Sequence, residues 1–292
     1  MSDRIQTPLI TLNSGVTIPQ LGLGVWQASN EQAEQIVRFA IDEAGYRHID
    51  TAAAYENEEG VGRAIAGASV PREDLFVTTK LWNADHGRDA ALRAIDTSLA
   101  KLGLDHVDLY LIHWPLQDRA ELVETWHAME EIQRSGKARS IGVCNCEPHH
   151  LDWIAADSDV TPAVDQVELH PHLPQYVIRA YATYRGIATQ SWSPLGGTSR
   201  SGWGKASKPN TLLHDPTLQA VAARHGKSVA QVLIRWQLQS GLIVMPKSLH
   251  PERVAQNIDV FDFELTGEDF EAIAGLDNGE RVGLHPDTMD HR

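Results

Sequence analysis

An aspartate and a tyrosine stand just past the end of a short apolar run near the start of the chain. Asp50 directly follows the run of residues 46–49, and Tyr55 follows in a small-residue connection before a predicted helix. Open and closed α/β folds keep their chemistry at the carboxyl ends of strands and in the loops that follow. Taken alone, such an aspartate is more often a helix cap or a loop ion pair, and such a tyrosine is more often packing.

A lysine and a histidine, Lys80 and His113, end two later apolar runs. If these runs are barrel strands, both groups meet the aspartate and the tyrosine at one edge of the fold. A tyrosine titrates near pH 10 in water, so one that donates a proton near neutrality needs a neighbour that favours phenolate. We therefore expect Lys80 to lower the Tyr55 pKa and Asp50 to keep Lys80 charged. His113 can hydrogen-bond a substrate carbonyl oxygen, so the set suits proton donation to an oxygen that gains negative charge.

Three tryptophans, Trp26, Trp82 and Trp114, each lie next to a predicted strand end. A single aromatic at such a position covers a barrel core about as often as it contacts a substrate. Three near the same mouth favour an apolar substrate pocket, in which we also expect His113.

The elements that would position these residues alternate regularly. Residues 9–12 and 16–21 flank the turn composition Asn13-Ser14-Gly15 and predict a β-hairpin. Strands are then predicted at residues 21–25, 47–50, 75–80, 107–113, 138–143, 164–168, 187–191 and 242–245, followed in turn by helices at 31–44, 58–66, 90–102, 121–135, 148–155, 175–184, 216–225 and 251–257, with additional helices at 229–239 and 267–276. Eight strand–helix units without a linker or repeat predict an α/β fold, a single (β/α)8 TIM barrel domain over residues 1–292.

The composition is that of an acidic globular enzyme. Of 292 residues, 42% are hydrophobic and 22% charged, and the formal charge of −14 argues against a nucleic-acid binder. The N-terminus lacks the apolar core of a signal peptide, and no stretch is apolar enough to span a bilayer. Cys144 and Cys146 are poorly spaced for a disulfide and too few for a metal site. We therefore predict reduced thiols, no metal, no membrane association and a cytoplasmic protein.

A glycine-rich polar segment, residues 196–205, follows the seventh predicted barrel strand. It is long for a strand–helix connection, and its composition predicts mobility. Its position on the ligand-binding face predicts that it folds over the barrel mouth, although a passive surface loop is the alternative.

Three motifs occur in order and cover nearly the whole chain. They are Gly45-Tyr46-Arg47-His48-Ile49-Asp50-Thr51-Ala52 with Tyr55, Asn57-Glu58 and Val61-Gly62; residues 102–115, which end in Leu111-Ile112-His113-Trp114-Pro115; and Met245-Pro246-Lys247-Ser248 followed by Arg253 and Gln256-Asn257. Together they resemble the motifs of the aldo-keto reductases, most closely those of the bacterial branch that includes the 2,5-diketo-D-gluconate reductases. Their joint specificity is high, unlike that of any single residue.

The resemblance implies a barrel closed at its base by the N-terminal hairpin. It implies a monomer that binds NADPH, in preference to NADH, across the mouth without a Rossmann fold. The implied reaction is reduction of aldehydes or ketones to alcohols, with diketo sugar acids or dicarbonyls as candidate substrates. Tyr55 would be the general acid, Asp50, Lys80 and His113 would complete a catalytic tetrad, and the cofactor would supply the hydride.

The resemblance also implies contacts to the cofactor, residue by residue. Asn145 and Gln166 match the residues that hold the nicotinamide carboxamide, and Trp192 matches the aromatic that stacks on the ring. The other matches are Ser193, Leu195 and Gly196 along the pyrophosphate, Lys247, Ser248 and Arg253 around the 2′-phosphate, and Gln256 and Asn257 at the adenine. The physical reading agrees with the phosphate site, because a cation and a hydroxyl precede a helix with Pro251 near its first turn. Without the motif, a surface lysine and an arginine on a solvated helix would be the default interpretation.

The chain departs from the family pattern at three positions. Cys144 and Cys146 replace the usual serine and phenylalanine, so a hydroxyl contact to the carboxamide becomes a weaker thiol contact. Asp165 stands where asparagine is usual. We expect these changes to loosen nicotinamide binding or to alter its preference, without removing the tetrad.

Two other classes of function stay open. A barrel glycosidase would use two strand-end carboxylates such as Asp50 and Glu168, but it leaves Lys80 and Trp192 without a role. A catalytically silent barrel that binds nicotinamide as a redox sensor, like the potassium-channel β subunits that resemble this family, would need no turnover. The intact tetrad and the lack of a partner-binding extension count against the silent barrel.

Overall fold

Eight parallel strands form the centre of the fold, and a two-stranded antiparallel hairpin precedes them. The structure is a computed structural model that describes residues 7–197 and 210–289. The hairpin strands are β1 (Leu9–Thr11) and β2 (Thr17–Pro19), and the parallel strands are β3 (Leu23–Gly24), β4 (His48–Asp50), β5 (Phe76–Leu81), β6 (Val107–Ile112), β7 (Ala138–Cys144), β8 (Val164–Glu168), β9 (Ala188–Trp192) and β10 (Ile243–Val244). The α-helices are α1 (Asn30–Phe39), α2 (Glu58–Ala66), α3 (Arg88–Leu102), α4 (Arg119–Arg134), α5 (Pro148–Asp157), α6 (Tyr176–Tyr184), α7 (Pro216–His225), α8 (Val229–Gln239), α9 (Pro251–Ile258) and α10 (Gly267–Ala274).

The parallel sheet closes on itself. Its strands are hydrogen-bonded to their neighbours in chain order from β3 to β10. Main-chain bonds then join the two ends, because Gly22 N donates to Val244 O at 3.0 Å and Gly24 N donates to Pro246 O at 3.1 Å. The predicted (β/α)8 barrel is therefore confirmed.

The two strands that close the barrel are shorter than the apolar runs that predicted them. β3 and β10 have two residues each, whereas the runs span residues 21–25 and 242–245. Pro246 follows the second run and has no N–H with which to extend the strand. Two isolated bridges, one on each side of this proline at Val244 and Lys247, join the closing strands.

Strands β5 and β6 are buried along their whole length, since side chains fill the barrel on one face and helices cover the other. Each strand nevertheless contains one charged residue. At the base, Asp108 of β6 is paired with Arg72 and Arg139, both at 2.7 Å. Lys80 of β5 lies toward the other end and needs a partner of its own, because an unpaired buried charge is strongly destabilising.

A left-handed glycine sets the direction of β4. Helix α1 begins at the Ser29 cap and continues through one wider turn, Ala40–Ala44, so the two together match the predicted helix. Gly45 then takes a φ of 89°, which a residue with a Cβ adopts at a cost. The chain reverses there into β4, which ends at Asp50 beside β5.

The hairpin covers the amino-terminal end of the barrel, as the resemblance implied. Leu12 and Ile18 pack with Phe76 and Val164, which begin β5 and β8. Asn13 Nδ2 also donates to the carbonyl oxygen just before β8, at 2.9 Å. The carboxyl ends of the strands lie at the opposite face.

The mouth loop predicted at residues 196–205 is described only at its start, and positions 198–205 lie outside the described residues. The same holds for residues 290–292 of the C-terminal tail. Among the helices of the described ranges, none combines the length and the apolar character needed to cross a bilayer.

Candidate active site

Lys80 is buried at the carboxyl end of β5, at the centre of the predicted catalytic group. Its Nζ donates to Asp50 Oδ1 at 2.5 Å and to Thr51 O at 2.8 Å. The same nitrogen donates to Tyr55 Oη at 3.4 Å. Burial is the largest single effect and opposes the charge of Lys80, but Asp50, Tyr55 and Cys144 together outweigh it, so the pKa of Lys80 is raised and the ammonium persists. Two strand ends and the turn after one of them therefore bring these groups together.

Tyr55 ends the short turn Ala53–Tyr55 that follows β4. Burial raises the pKa of Tyr55 to about 12, although the charge of Lys80 acts in the opposite direction. Lys80 thus lowers the pKa of Tyr55 as expected, but the loss of hydration outweighs the neighbouring ammonium, so the net pKa lies above the ordinary value. The phenol is protonated at neutral pH, which is the state that a proton donor needs.

His113 follows β6 and lies against the same group. Its ring centroid is 5.6 Å from that of Tyr55 and 5.3 Å from that of Trp82, edge to face in both pairs. Burial, together with the charge of Lys80, lowers the pKa of His113 well below its ordinary value. The imidazole is therefore neutral and can donate one N–H to a substrate oxygen.

Gln166 holds the second oxygen of Asp50, a contact that sequence reasoning missed. Its Nε2 donates to Asp50 Oδ2 at 2.8 Å, across 116 positions of sequence. Its Oε1 lies 4.0 Å from the Sγ of Cys144. Both oxygens of Asp50 are bonded, so this carboxylate is fixed as the partner of Lys80 and is not free to act as a base.

Asn145 links the ends of β6 and β9. Its Nδ2 donates to His113 O at 3.0 Å, and its Oδ1 accepts from Trp192 Nε1 at 2.8 Å. The residue has a left-handed backbone with a φ of 61°, which asparagine tolerates better than most residues. Hydrogen bonds thus connect Asn145, Gln166 and Trp192, the residues predicted at the nicotinamide, to the catalytic group.

The tryptophans predicted at the substrate differ in exposure. Trp82 is half-buried and contacts His113 directly. Trp26 is also half-buried, just after β3. Trp114 is buried, and its Nε1 has no hydrogen-bond partner in the part of the chain that the structure describes.

The chain turns sharply after β9, where the pyrophosphate contacts are predicted. Ser193 and Gly196 take φ values of 51° and 84°. Leu195 O accepts from Asn210 Nδ2 at 2.8 Å, and a Cβ added at Gly196 would stand 2.5 Å from a methyl of Leu212. The three predicted contact residues therefore lie on a turn that Asn210 and Leu212 contact directly.

The residues predicted at the 2′-phosphate and adenine lie around the start of α9, where Pro251 is the first residue. Ser248 Oγ accepts from His250 N at 3.1 Å. Lys247 and Arg253 are exposed, and neither forms an ion pair with an acidic residue in ranges 7–197 and 210–289. Along the helix, Gln256 is exposed and Asn257 is buried. Two unpaired cations at a helix N-terminus suit an anionic ligand.

Glu168, at the end of β8, anchors the C-terminal segment. Its Oε1 accepts from Val282 N at 2.5 Å and its Oε2 accepts from Gly283 N at 2.9 Å. His170 Nε2 lies 2.9 Å from Oε1. Sequence reasoning missed this contact and considered Glu168 as one of the two carboxylates of a glycosidase. A carboxylate bonded at both oxygens is not free to act as a catalytic acid or base.

The departures from the family pattern form a buried cluster beside the residues predicted at the nicotinamide. Cys144 and Cys146 are free and buried, and burial raises the pKa of both thiols well above the ordinary value. Asp165 Oδ1 accepts from Cys146 N at 3.3 Å, while its Oδ2 is buried without a hydrogen-bond partner among the described residues. Burial therefore raises the pKa of Asp165 well above its ordinary value and favours the neutral acid.

The Asp165→Asn variant is expected to be more stable than the parent protein at pH 7, by about 1 kcal/mol or more. Above about pH 4 the unfolded chain ionises this carboxyl while the folded protein retains the proton, so stability falls as the pH rises. Asparagine removes that proton dependence and keeps an acceptor for Cys146 N. Urea denaturation between pH 4.5 and 8 should show an advantage that grows with pH.

The exposed Asp159→Asn serves as the matched control and should show no such trend. An Asp165→Asn difference that stays constant with pH, or a loss of stability at pH 8, would contradict the argument.

Comparison with known proteins gives a consistent set of similarities. The model of the Aldo/keto reductase family matches residues 20–278. An aldo-keto reductase of Mycolicibacterium smegmatis is 52% identical over 284 residues, which are 97% of this chain and 98% of the relative. Methylglyoxal reductase DkgA of Escherichia coli K12 is 48% identical over 281 residues, 96% of this chain and 98% of the relative. A solved Bombyx mori aldo-keto reductase in complex with NADP has a TM-score of 0.87 at 43% identity, with 96% of each chain covered.

Proposed function

The chain belongs to the aldo/keto reductase family, and we propose that it reduces aldehydes and ketones to alcohols by hydride transfer from NADPH. Family membership makes the protein an oxidoreductase and supports carbonyl reduction. Within that activity we assign Tyr55 as the general acid and Asp50, Lys80 and His113 as the other members of a catalytic tetrad.

The position of the Lys80 ammonium is the observation that carries this proposal. Nζ lies 2.5 Å from Asp50 Oδ1 and 3.4 Å from Tyr55 Oη. When Tyr55 gives its proton to the substrate oxygen, the phenolate forms beside a positive charge that is already held in place. Such preorganised charge stabilises the state in which the proton has moved, without reorganisation of the site. Asp50 keeps Lys80 charged and takes no part in the proton transfer.

His113 would orient the substrate. Its neutral imidazole can donate to the carbonyl oxygen that Tyr55 protonates, and the ring contact with Tyr55 keeps the two groups together. Trp82, Trp26 and Trp114 would form the apolar walls beside that oxygen. On the likeness to methylglyoxal reductase we propose small dicarbonyls as substrates, with diketo sugar acids as the larger candidates.

The residues of the mouth suit a nicotinamide cofactor, which would supply the hydride to the carbonyl carbon. Among the described residues, Gln166 Oε1 has only the 4.0 Å contact with the Cys144 thiol, so it can accept from the carboxamide N–H. Asn145 would hold the same amide, and the Trp192 ring would stack on the nicotinamide. The remaining assignments are Ser193, Leu195 and Gly196 for the pyrophosphate, Lys247, Ser248 and Arg253 for the 2′-phosphate, and Gln256 and Asn257 for the adenine.

Two optical measurements test the function directly. Binding of NADPH should quench its own or the protein's fluorescence, and addition of aldehydes or dicarbonyls should then remove the absorbance of the reduced nicotinamide. Binding without turnover on any of these substrates would favour the redox-sensing alternative. Absence of binding would exclude both nicotinamide functions.

Replacement of Arg253 by alanine should weaken NADPH about ten- to a hundredfold and NADH less than about threefold, because only NADPH has the 2′-phosphate that the guanidinium would bind. Dissociation constants for both cofactors, measured by fluorescence titration, provide the comparison. Arg134→Ala removes an equally charged, exposed side chain on α4 and should leave both constants unchanged. Equal losses for the two cofactors would contradict the 2′-phosphate assignment.

We also propose that the protein acts in the cytoplasm as a monomer of one domain. Two free, buried thiols are compatible with a reducing compartment. Light scattering at the working concentration of the enzyme tests the monomer, and a mass of two chains would overturn it.

A further inference from the structure

Histidines and an aspartate meet where the C-terminal segment crosses the start of α5. His149 and His150 lie in the first turn of α5, and Asp287 lies in the short turn Pro286–Thr288. His149 Nε2 is 3.5 Å from Asp287 Oδ1, and His150 Nε2 is 3.9 Å from the same oxygen. One donor atom from each of the three residues lies within 4.8 Å of the others. None of these residues belongs to the catalytic group or to the cofactor contacts.

His150 is the unusual member of this cluster. Its side chain is fully buried, and its Nε2 has no hydrogen-bond partner among the described residues. A neutral imidazole nitrogen is the form of histidine that binds a metal ion. His149 and Asp287 are half-exposed and leave the cluster open to solvent.

We propose that His149, His150 and Asp287 bind a divalent transition-metal ion, Zn²⁺ in particular, with water completing the coordination. Zn²⁺ lies about 2.0–2.2 Å from nitrogen and oxygen ligands, so tetrahedral donors are about 3.4 Å apart. The two nitrogen–oxygen separations, 3.5 and 3.9 Å, are close to that value, and the two ring nitrogens lie within 4.8 Å of each other. Two imidazoles and one carboxylate suit Zn²⁺, Ni²⁺ or Cu²⁺, whereas Mg²⁺ and Ca²⁺ prefer oxygen ligands.

Metal binding changes the tautomer of His150. Glu147 N donates to His150 Nδ1 at 3.1 Å, so the neutral ring carries its proton on Nε2 when no metal is bound. Coordination through Nε2 moves the proton to Nδ1 and removes that bond at the helix cap. Two N–H groups then face each other without an acceptor, which lowers the affinity by about five- to a hundredfold.

The proposed ion would fasten a segment that is already tied to the barrel. Gln117 Nε2 donates to Pro286 O at 2.7 Å, and Glu168 accepts from the amides of Val282 and Gly283. A metal ion bound by Asp287 and the two histidines would also attach this segment to α5. Because this inference concerns metal binding alone, it is independent of the proposed carbonyl reduction.

Titration of metal-stripped, full-length protein with ZnCl₂ in a calorimeter tests the site. We expect one equivalent to bind, and we expect His149→Gln and Asp287→Asn each to weaken it at least about tenfold. MgCl₂ should give no comparable heat. The control is His127→Gln. His127 lies 3.5 Å from Glu130 and is 45% exposed, against 46% for His149, but no third ligand completes this pair among the described residues. This variant should bind Zn²⁺ like the parent protein.

Amide hydrogen exchange locates the ion. Zn²⁺ should slow exchange across residues 285–288 in the parent protein and have no effect there in His149→Gln. The proposal is overturned if the protein binds no Zn²⁺, if both variants bind it as the parent does, or if exchange of these amides is unchanged.

Discussion

Replacement of Tyr55 by phenylalanine is expected to slow carbonyl reduction at least about a thousandfold while NADPH affinity changes less than about twofold. General acids contribute about 10²–10⁴ to rate, and we propose the phenol beside the Lys80 ammonium as the proton donor. The ring itself remains, so its edge-to-face contact with His113 and the packing of the turn are preserved. Single-turnover measurement of nicotinamide absorbance gives the rate, and fluorescence titration gives the affinity.

Tyr184→Phe is the matched control, because Tyr184 is 84% exposed on α6. It should leave both rate and affinity unchanged. Turnover by Tyr55→Phe at more than about a tenth of the parent rate would remove Tyr55 as the acid.

Replacement of Lys80 by methionine is expected to destabilise the protein by about 3 kcal/mol and to abolish turnover. Methionine fills a similar volume but leaves the Asp50 carboxylate buried with Gln166 as its remaining side-chain donor. Removing one member of a buried ion pair costs about 3–5 kcal/mol, because the other charge loses its compensation. Urea denaturation at pH 7 measures the loss of stability.

The double variant Lys80→Met with Asp50→Asn separates the two effects. Without the Asp50 charge there is no unpaired ion to bury, so most of the lost stability should return. Turnover should stay absent, since the ammonium beside Tyr55 is still missing. A double variant as unstable as the single one would show that packing, and not charge, dominates at this position.

Residues at strand ends were predictable from the sequence, because a barrel fixes where parallel strands finish. The apolar runs that end at Lys80 and His113 correspond to β5 and β6, and Asp50 closes β4. Their side chains therefore lie at the carboxyl-terminal face of the barrel, independently of the conformations of the loops. The pairing of Lys80 with Asp50 followed from the cost of leaving either charge buried alone.

Quantities that depend on three-dimensional surroundings were not predictable. The sign of the Tyr55 pKa shift is set by how much water the ring loses, which outweighs the visible neighbour Lys80. The bond from Gln166 to Asp50 joins strands far apart in sequence. Asp287 likewise reaches His149 only because the C-terminal segment returns across α5. Local sequence periodicity does not predict contacts between residues that are far apart in the chain.

The attachment at Glu168 makes the C-terminal tail an exchangeable part for protein engineering. Glu168 binds the main-chain amides of residues 282 and 283, which every amino acid except proline provides. Position 283 must remain glycine, because a Cβ there would lie 2.4 Å from the indole of Trp192. Tails grafted from relatives, or libraries randomised beyond this glycine, can therefore be mounted on an unaltered barrel.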